Sequence, residues 1–107
     1  MQKRIYLLST LLPTLGFLFA TPALSAEADL AKAEKVYKRS CATCHGKQGE
    51  KPAMGESKII NQLKPEEIST ALSERKAGNI PSAGSPAKQR LSEQDIHNLS
   101  EYIQTLK

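Results

Sequence analysis

The sequence predicts a small all-α domain, and three observations predict it. Apolar residues recur at three- and four-residue steps in three separate stretches. No stretch shows the alternation of a half-buried strand, and no hairpin turn is readable. The breaks between the stretches carry helix start and stop signals rather than strand turns.

The first helix is predicted from about Asp29 to Ser40. Asp29 suits an N-cap, and Leu30, Ala33, Val36 and Tyr37 form its apolar stripe. The run Cys41-Ala42-Thr43-Cys44-His45 ends it. Gly46 to Glu56 reads as loop, punctuated by Gly46, Gly49, Pro52 and Gly55. A short helical turn fits Lys58 to Leu63. The second main helix starts with Pro65 at its first position, where the missing amide costs nothing. Glu66 and Glu67 occupy its first turn, Arg75 and Lys76 its last, and Gly78 stops it. Ile68, Ala71 and Leu72 are its apolar stripe. Asn79 to Arg90, with Pro81, Gly84 and Pro86, reads as one long loop, and such a loop in a small domain usually has a job. The third helix starts at Ser92 as N-cap, with Asp95 three residues on. Ile96, Leu99, Tyr102, Ile103 and Leu106 give it one apolar face.

Upstream of these elements the chain has the layout of a secretory leader. Lys3 and Arg4 form a basic head, Ile5 to Ala20 is nearly all apolar, and Ala23-Leu24-Ser25-Ala26 is small-residue rich. Cleavage after Ala26 is expected, so that 1–26 is a signal peptide and 27–107 the mature domain. The apolar stretch falls short of the roughly 20 residues that span a bilayer, so no stable membrane insertion is expected.

The mature chain has 81 residues, with Tyr37 and Tyr102 its only aromatics. Apolar burial alone supplies a domain of this size with on the order of 3–5 kcal/mol. Its two cysteines lie three apart, and a bridge between them would close almost no loop. A buried cofactor is the better way to complete the core. Without Lys3 and Arg4 the formal charge is about +2, from 13 basic and 11 acidic residues. The basic residues are scattered with no aromatics between them, which argues against nucleic acid.

Cys41-x-x-Cys44-His45 is the attachment pattern of c-type haem. Two thiols add across the two vinyl groups on one edge of the porphyrin. Two intervening residues let both sulfurs reach that edge from one helical turn. His45 then falls beneath the ring, where it can bind the iron. A thioredoxin-like pair would sit near a βαβ unit, absent here. A zinc site needs four ligands, and the other histidine, His97, is remote. One covalent haem c is therefore expected, held by Cys41 and Cys44, with His45 as proximal ligand.

With these residues in place, the chain resembles the small bacterial class I monohaem cytochromes c over essentially all of the mature sequence. The helix running into CATCH matches. So do the loop with Gly46, Gly49 and Ala53-Met54-Gly55 and the closing helix with Leu99, Tyr102 and Ile103. The resemblance implies a class I cytochrome c fold of three main helices around one covalently bound haem, with the closing helix crossing the first at Ala33 and Tyr37. It implies a periplasmic one-electron carrier, not an enzyme. Its partners would be periplasmic or membrane-bound redox proteins, met transiently by a monomer.

One departure stands out. The family usually takes a second axial ligand, Met, from the loop before the last helix. Here Asn79 to Arg90 has no Met, and the corresponding position falls at or near Gly84. Met54, nine residues after His45, is expected to stay on the proximal side and reads as packing at the haem edge rather than as the ligand. His97 lies roughly 150° from the centre of the last helix's apolar face and should be exposed. Lys88 or Asn79 could reach from the loop. Otherwise the site is open, which would suit a haem-based binder of NO or CO. Axial ligands set haem potentials over about 0.8 V, and loss of Met predicts a lower potential than the family norm. Pro52 is either an acceptor for the second ring nitrogen of His45 or a plain loop proline. Lys38, Arg39, Lys47 and Lys51 either steer an acidic partner or form a solvated surface.

Overall fold

Asp29 starts the folded domain. Its carboxylate accepts the Lys32 amide at 2.9 Å and caps α1, Leu30–Ser40. The computed structural model describes Pro13, residues 16–18 and residues 27–107 except Glu56. The leader predicted at 1–26 lies almost wholly outside the described residues. Among them, no helix is long and apolar enough to cross a membrane.

Every regular element after α1 among the described residues is helical. Cys41 breaks the first helix with φ −119°, and a one-turn helix, α2, Ala42–His45, follows at once. Two short 3-10 turns, Ala53–Gly55 and Ile60–Gln62, interrupt the next loop. Then come α3, Pro65–Lys76, α4, Ser85–Gln89, and α5, Glu93–Gln104. The domain is all-α, as expected. The start signals act as read. Glu67, read only as a first-turn charge, also reaches back to the Lys64 amide at 2.8 Å ahead of Pro65. Ser92 and Asp95 accept each other's amides at 3.0 Å. Gly78, at φ 82°, follows α3 in a left-handed conformation.

One expectation needs correction. Asn79 to Arg90 is not one continuous loop, because Ser85–Gln89 forms α4 and packs against α3. Pro86 lies in its first turn, where no intrahelical amide is missed.

Helix α5 packs against both α1 and α3. Ala33 and Tyr37 of α1 meet Ile96, Leu99 and Ile103 in one core, joined by Ile68, Leu91 and Leu106. Ala33 is small, so α1 approaches α5 closely there. The crossing is also pinned by a polar contact between distant residues. Buried Asn98 accepts the Asp29 amide at 2.9 Å and a Gln94 amide proton at 2.9 Å. At the other end, Gln104 donates to the Leu63 carbonyl at 3.0 Å.

Candidate functional site

Cys41, Cys44 and His45 come together because one helical turn carries them. The amides of Cys44 and His45 both point to the Cys41 carbonyl, at 3.2 and 3.0 Å, so the motif is wound on itself. Gly46 then leaves the turn at φ 85°, a conformation that favours glycine. Its position is fixed from α1: the buried Tyr37 hydroxyl donates to the Gly46 carbonyl at 2.6 Å. The Tyr37 ring rests on Tyr102 of α5, centroids 5.6 Å apart. The packing of the first and last helices thus sets the residue next to His45.

The following loop is tied to the rest. The Lys51 amide donates to the His45 carbonyl at 2.9 Å. Asn61 brackets Gly49, its side chain donating to Gln48 and its amide to the Gly49 carbonyl. Gly49 has φ 67°, and a Cβ there would lie 3.1 Å from Ile60.

Both cysteines are free thiols, Cys41 half-buried and Cys44 exposed. Burial, with Cys44 adding to it, pushes the Cys41 thiol up to about 11 against the pull of Lys88. His45 is held below the ordinary histidine range, first by burial and then by the charges of Lys88 and Arg75. It is therefore neutral at pH 7, the form that binds metal. Its Nδ1 is buried and makes no hydrogen bond. The Pro52 carbonyl, one of the two roles considered for that proline, instead accepts the Gly55 amide at 3.0 Å. An unpaired buried imidazole nitrogen beside two free thiols one turn apart fits a thioether-linked haem.

The other candidates are dispersed. Met54 is 78% exposed, with its backbone at φ 55°. His97 is exposed, as expected, and lines a groove with Glu27, Leu30 and Glu101 on the outer side of α5. The Asn79 side chain donates to Glu74 at 2.9 Å. Lys38, Arg39, Lys47 and Lys51 are all exposed, and Lys38 pairs with Glu34 on its own helix.

Lys88 is different. It is half-buried on α4, and its charge is felt at Cys41, Cys44 and His45. Burial and Arg75 hold its ammonium below the ordinary lysine range. Reading the loop as structureless hid this placement. Helix α4 puts Lys88 one turn after Gly84, a spacing that is legible once the helix is granted. Arg75, whose guanidinium donates to the Ala71 carbonyl at 3.1 Å, is a neighbour that sequence reasoning treated only as a helix-end charge.

Residues 28–103 match the family described as cytochrome c oxidase, cbb3-type, subunit III. The chain is 43% identical to cytochrome c-553 of Helicobacter pylori strain 26695, over 77% of this chain and 86% of that protein. It is 35% identical to cytochrome c-554(547) of Halothiobacillus neapolitanus, over 74% of this chain and 98% of that one.

Proposed function

The chain belongs to the cytochromes c, and from that premise we propose that Cys41 and Cys44 hold its haem as thioethers and that His45 binds the iron. Membership carries with it one covalently bound c-type haem and a role as a haem-based electron carrier. The observation that carries the residue assignment is the geometry of α2: two free thiols one turn apart, with a neutral, half-buried His45 directly after them.

When bound, the haem supplies the Fe(II)/Fe(III) couple. The chain's own residues hold and shape its surroundings. Each thiol adds its S–H across one vinyl double bond, with nothing released. Cys44 is exposed, so a haem held there would present its attached edge toward the surface, where electrons would pass. Tyr37 holds Gly46, and through it the proximal turn, against the core. The apolar residues of α1 and α5 keep water from the buried side.

The carrier acts in the periplasm after removal of residues 1–26, as a monomer meeting redox proteins transiently. No substrate is transformed. The relatives that match over most of this chain are named as cytochromes c, which favours electron carriage over capture of NO or CO. The test is intact mass and optical spectroscopy of protein exported with the haem-attachment machinery. A mass increased by one haem that survives denaturation, lost in the double variant Cys41→Ser/Cys44→Ser, is expected. His45→Ala should keep covalent haem but lose the low-spin spectrum. Haem that washes away on denaturation, or wild-type spectra in His45→Ala, would sink the assignment.

A further inference from the structure

The haem iron has two axial positions, and the assignment above fills one. The described residues offer few donors for the other. Met54 is 78% exposed on the turn that follows His45. His97 faces outward from α5, in the groove with Glu27 and Glu101. Asn79 is engaged with Glu74, and the guanidinium of Arg75 offers no lone pair to a metal.

Lys88 has the right chemistry and the right place. It is half-buried, and among the described residues its amine makes no hydrogen bond or ion pair. Its side chain folds back over Gly84, the N-cap of α4 one turn earlier. A Cβ on Gly84 would sit 2.8 Å from the Lys88 Nζ. Gly84 has an ordinary φ of −87°, so the backbone does not call for glycine there, and what lies over it is the mobile end of the Lys88 side chain. The space that a side chain at 84 would take is taken by the amine of residue 88. Its electrostatic neighbours are Arg75 and the two thiols and imidazole of the haem turn.

We propose that Lys88 would supply the second ligand of the haem iron, its amine lying over Gly84, the position at or near which the family carries its Met. This rests on the haem assignment above. Coordination forms one Fe–N bond and releases one proton from the ammonium to solvent, without change of oxidation state. Amine ligation favours Fe(III) over a thioether's preference for Fe(II), so the potential falls below that of a His/Met site.

The test uses the exported holoprotein. Intact mass first establishes covalent haem; without it the underlying reading falls, and this one with it. Ferric near-infrared and electron-paramagnetic spectra, and ferrous spectra with CO, are then recorded for wild type and Lys88→Arg. Arginine keeps the charge but cannot bind iron. The expected result is a low-spin wild type without an iron–sulfur band, slow to take CO, and a high-spin Lys88→Arg that takes CO at once. A Lys88→Arg that stays low-spin would overturn the proposal and leave Lys88 as a charge partner of a haem propionate. A wild type that is high-spin, or that shows an iron–sulfur band lost in Met54→Ala, would overturn it too. Should Lys88→Arg not fold, Gly84→Met decides. It drives the amine out and should convert the wild-type spectrum to an iron–sulfur one; an unchanged spectrum refutes ligation from this helix.

Discussion

Replacing Tyr37 by Phe removes one oxygen and tests how α1 controls the haem turn. The hydroxyl is buried and donates to the Gly46 carbonyl at 2.6 Å. A buried acceptor left with no partner costs about 1–3 kcal/mol. Here the Gly49 amide also reaches that carbonyl, at 3.3 Å, so the acceptor is not orphaned. The loss should therefore sit near the lower end, about 1 kcal/mol. For a domain of this size that lowers Tm by about 4–8 °C. Tyr102→Phe is the control, since that hydroxyl makes no hydrogen bond, and it should change stability by less than about 0.5 kcal/mol. The same bond has a pH signature. Burial, then the charges of Cys41 and Glu50, raise the Tyr37 phenol from 10.0 to about 12 on folding. Its contribution is therefore whole below pH 10 and is lost as pH climbs through about 12. Denaturant titrations of the holoprotein give the first quantity, and phenolate absorbance against pH gives the second. If Tyr37→Phe matches Tyr102→Phe in stability, or keeps a phenolate step near 12, the coupling between α1 and the haem turn is wrong.

Leu99→Ala empties a site that is 1% exposed at the meeting of the main helices and should cost about 2–5 kcal/mol, read by denaturation midpoint. Ser92→Ala removes one arm of the reciprocal cap of α5 and should cost about 1 kcal/mol, with amide exchange quickening in the first turn of that helix. Gly49→Ala meets both a φ of 67° and Ile60 at 3.1 Å. It should destabilise by more than about 1 kcal/mol, whereas Ala in place of exposed Lys47 should do almost nothing. If exposed Lys38, Arg39, Lys47 and Lys51 steer an anionic partner, its electron-exchange rate falls as salt rises; a flat stopped-flow salt profile makes them plain surface.

Most helix ends were legible because their chemistry is local. Asp29, Ser92 and Asp95 each satisfy an amide three residues away, and sequence spacing alone reveals such contacts. The same locality hid α4. Pro81, Gly84 and Pro86 read as breakers, yet Pro86 at a first turn is a tolerated start. The haem motif was legible because five consecutive residues carry it. The surroundings of the motif were not. Tyr37 looked like one more apolar position on α1, and nothing local shows that its hydroxyl meets Gly46 nine residues on. Asn98 lies on the buried face of α5 among apolar neighbours, where its type suggests exposure. Only the crossing with α1 explains it, by supplying the Asp29 amide.

That crossing joins the two ends of the domain. The amide of Asp29 and the side chain of Asn98 are 69 residues apart in sequence, and Tyr37 must wait for Tyr102. A chain emerging in order from a ribosome lacks α5, the main packing partner of α1, until nearly its last residue appears. Closing so long a loop is slow compared with winding a single helix. Meanwhile the thiols of residues 41 and 44 have already emerged, ahead of the helix that closes the core. The order of the helices thus acts as a clock, delaying closure of the core until the whole chain has arrived.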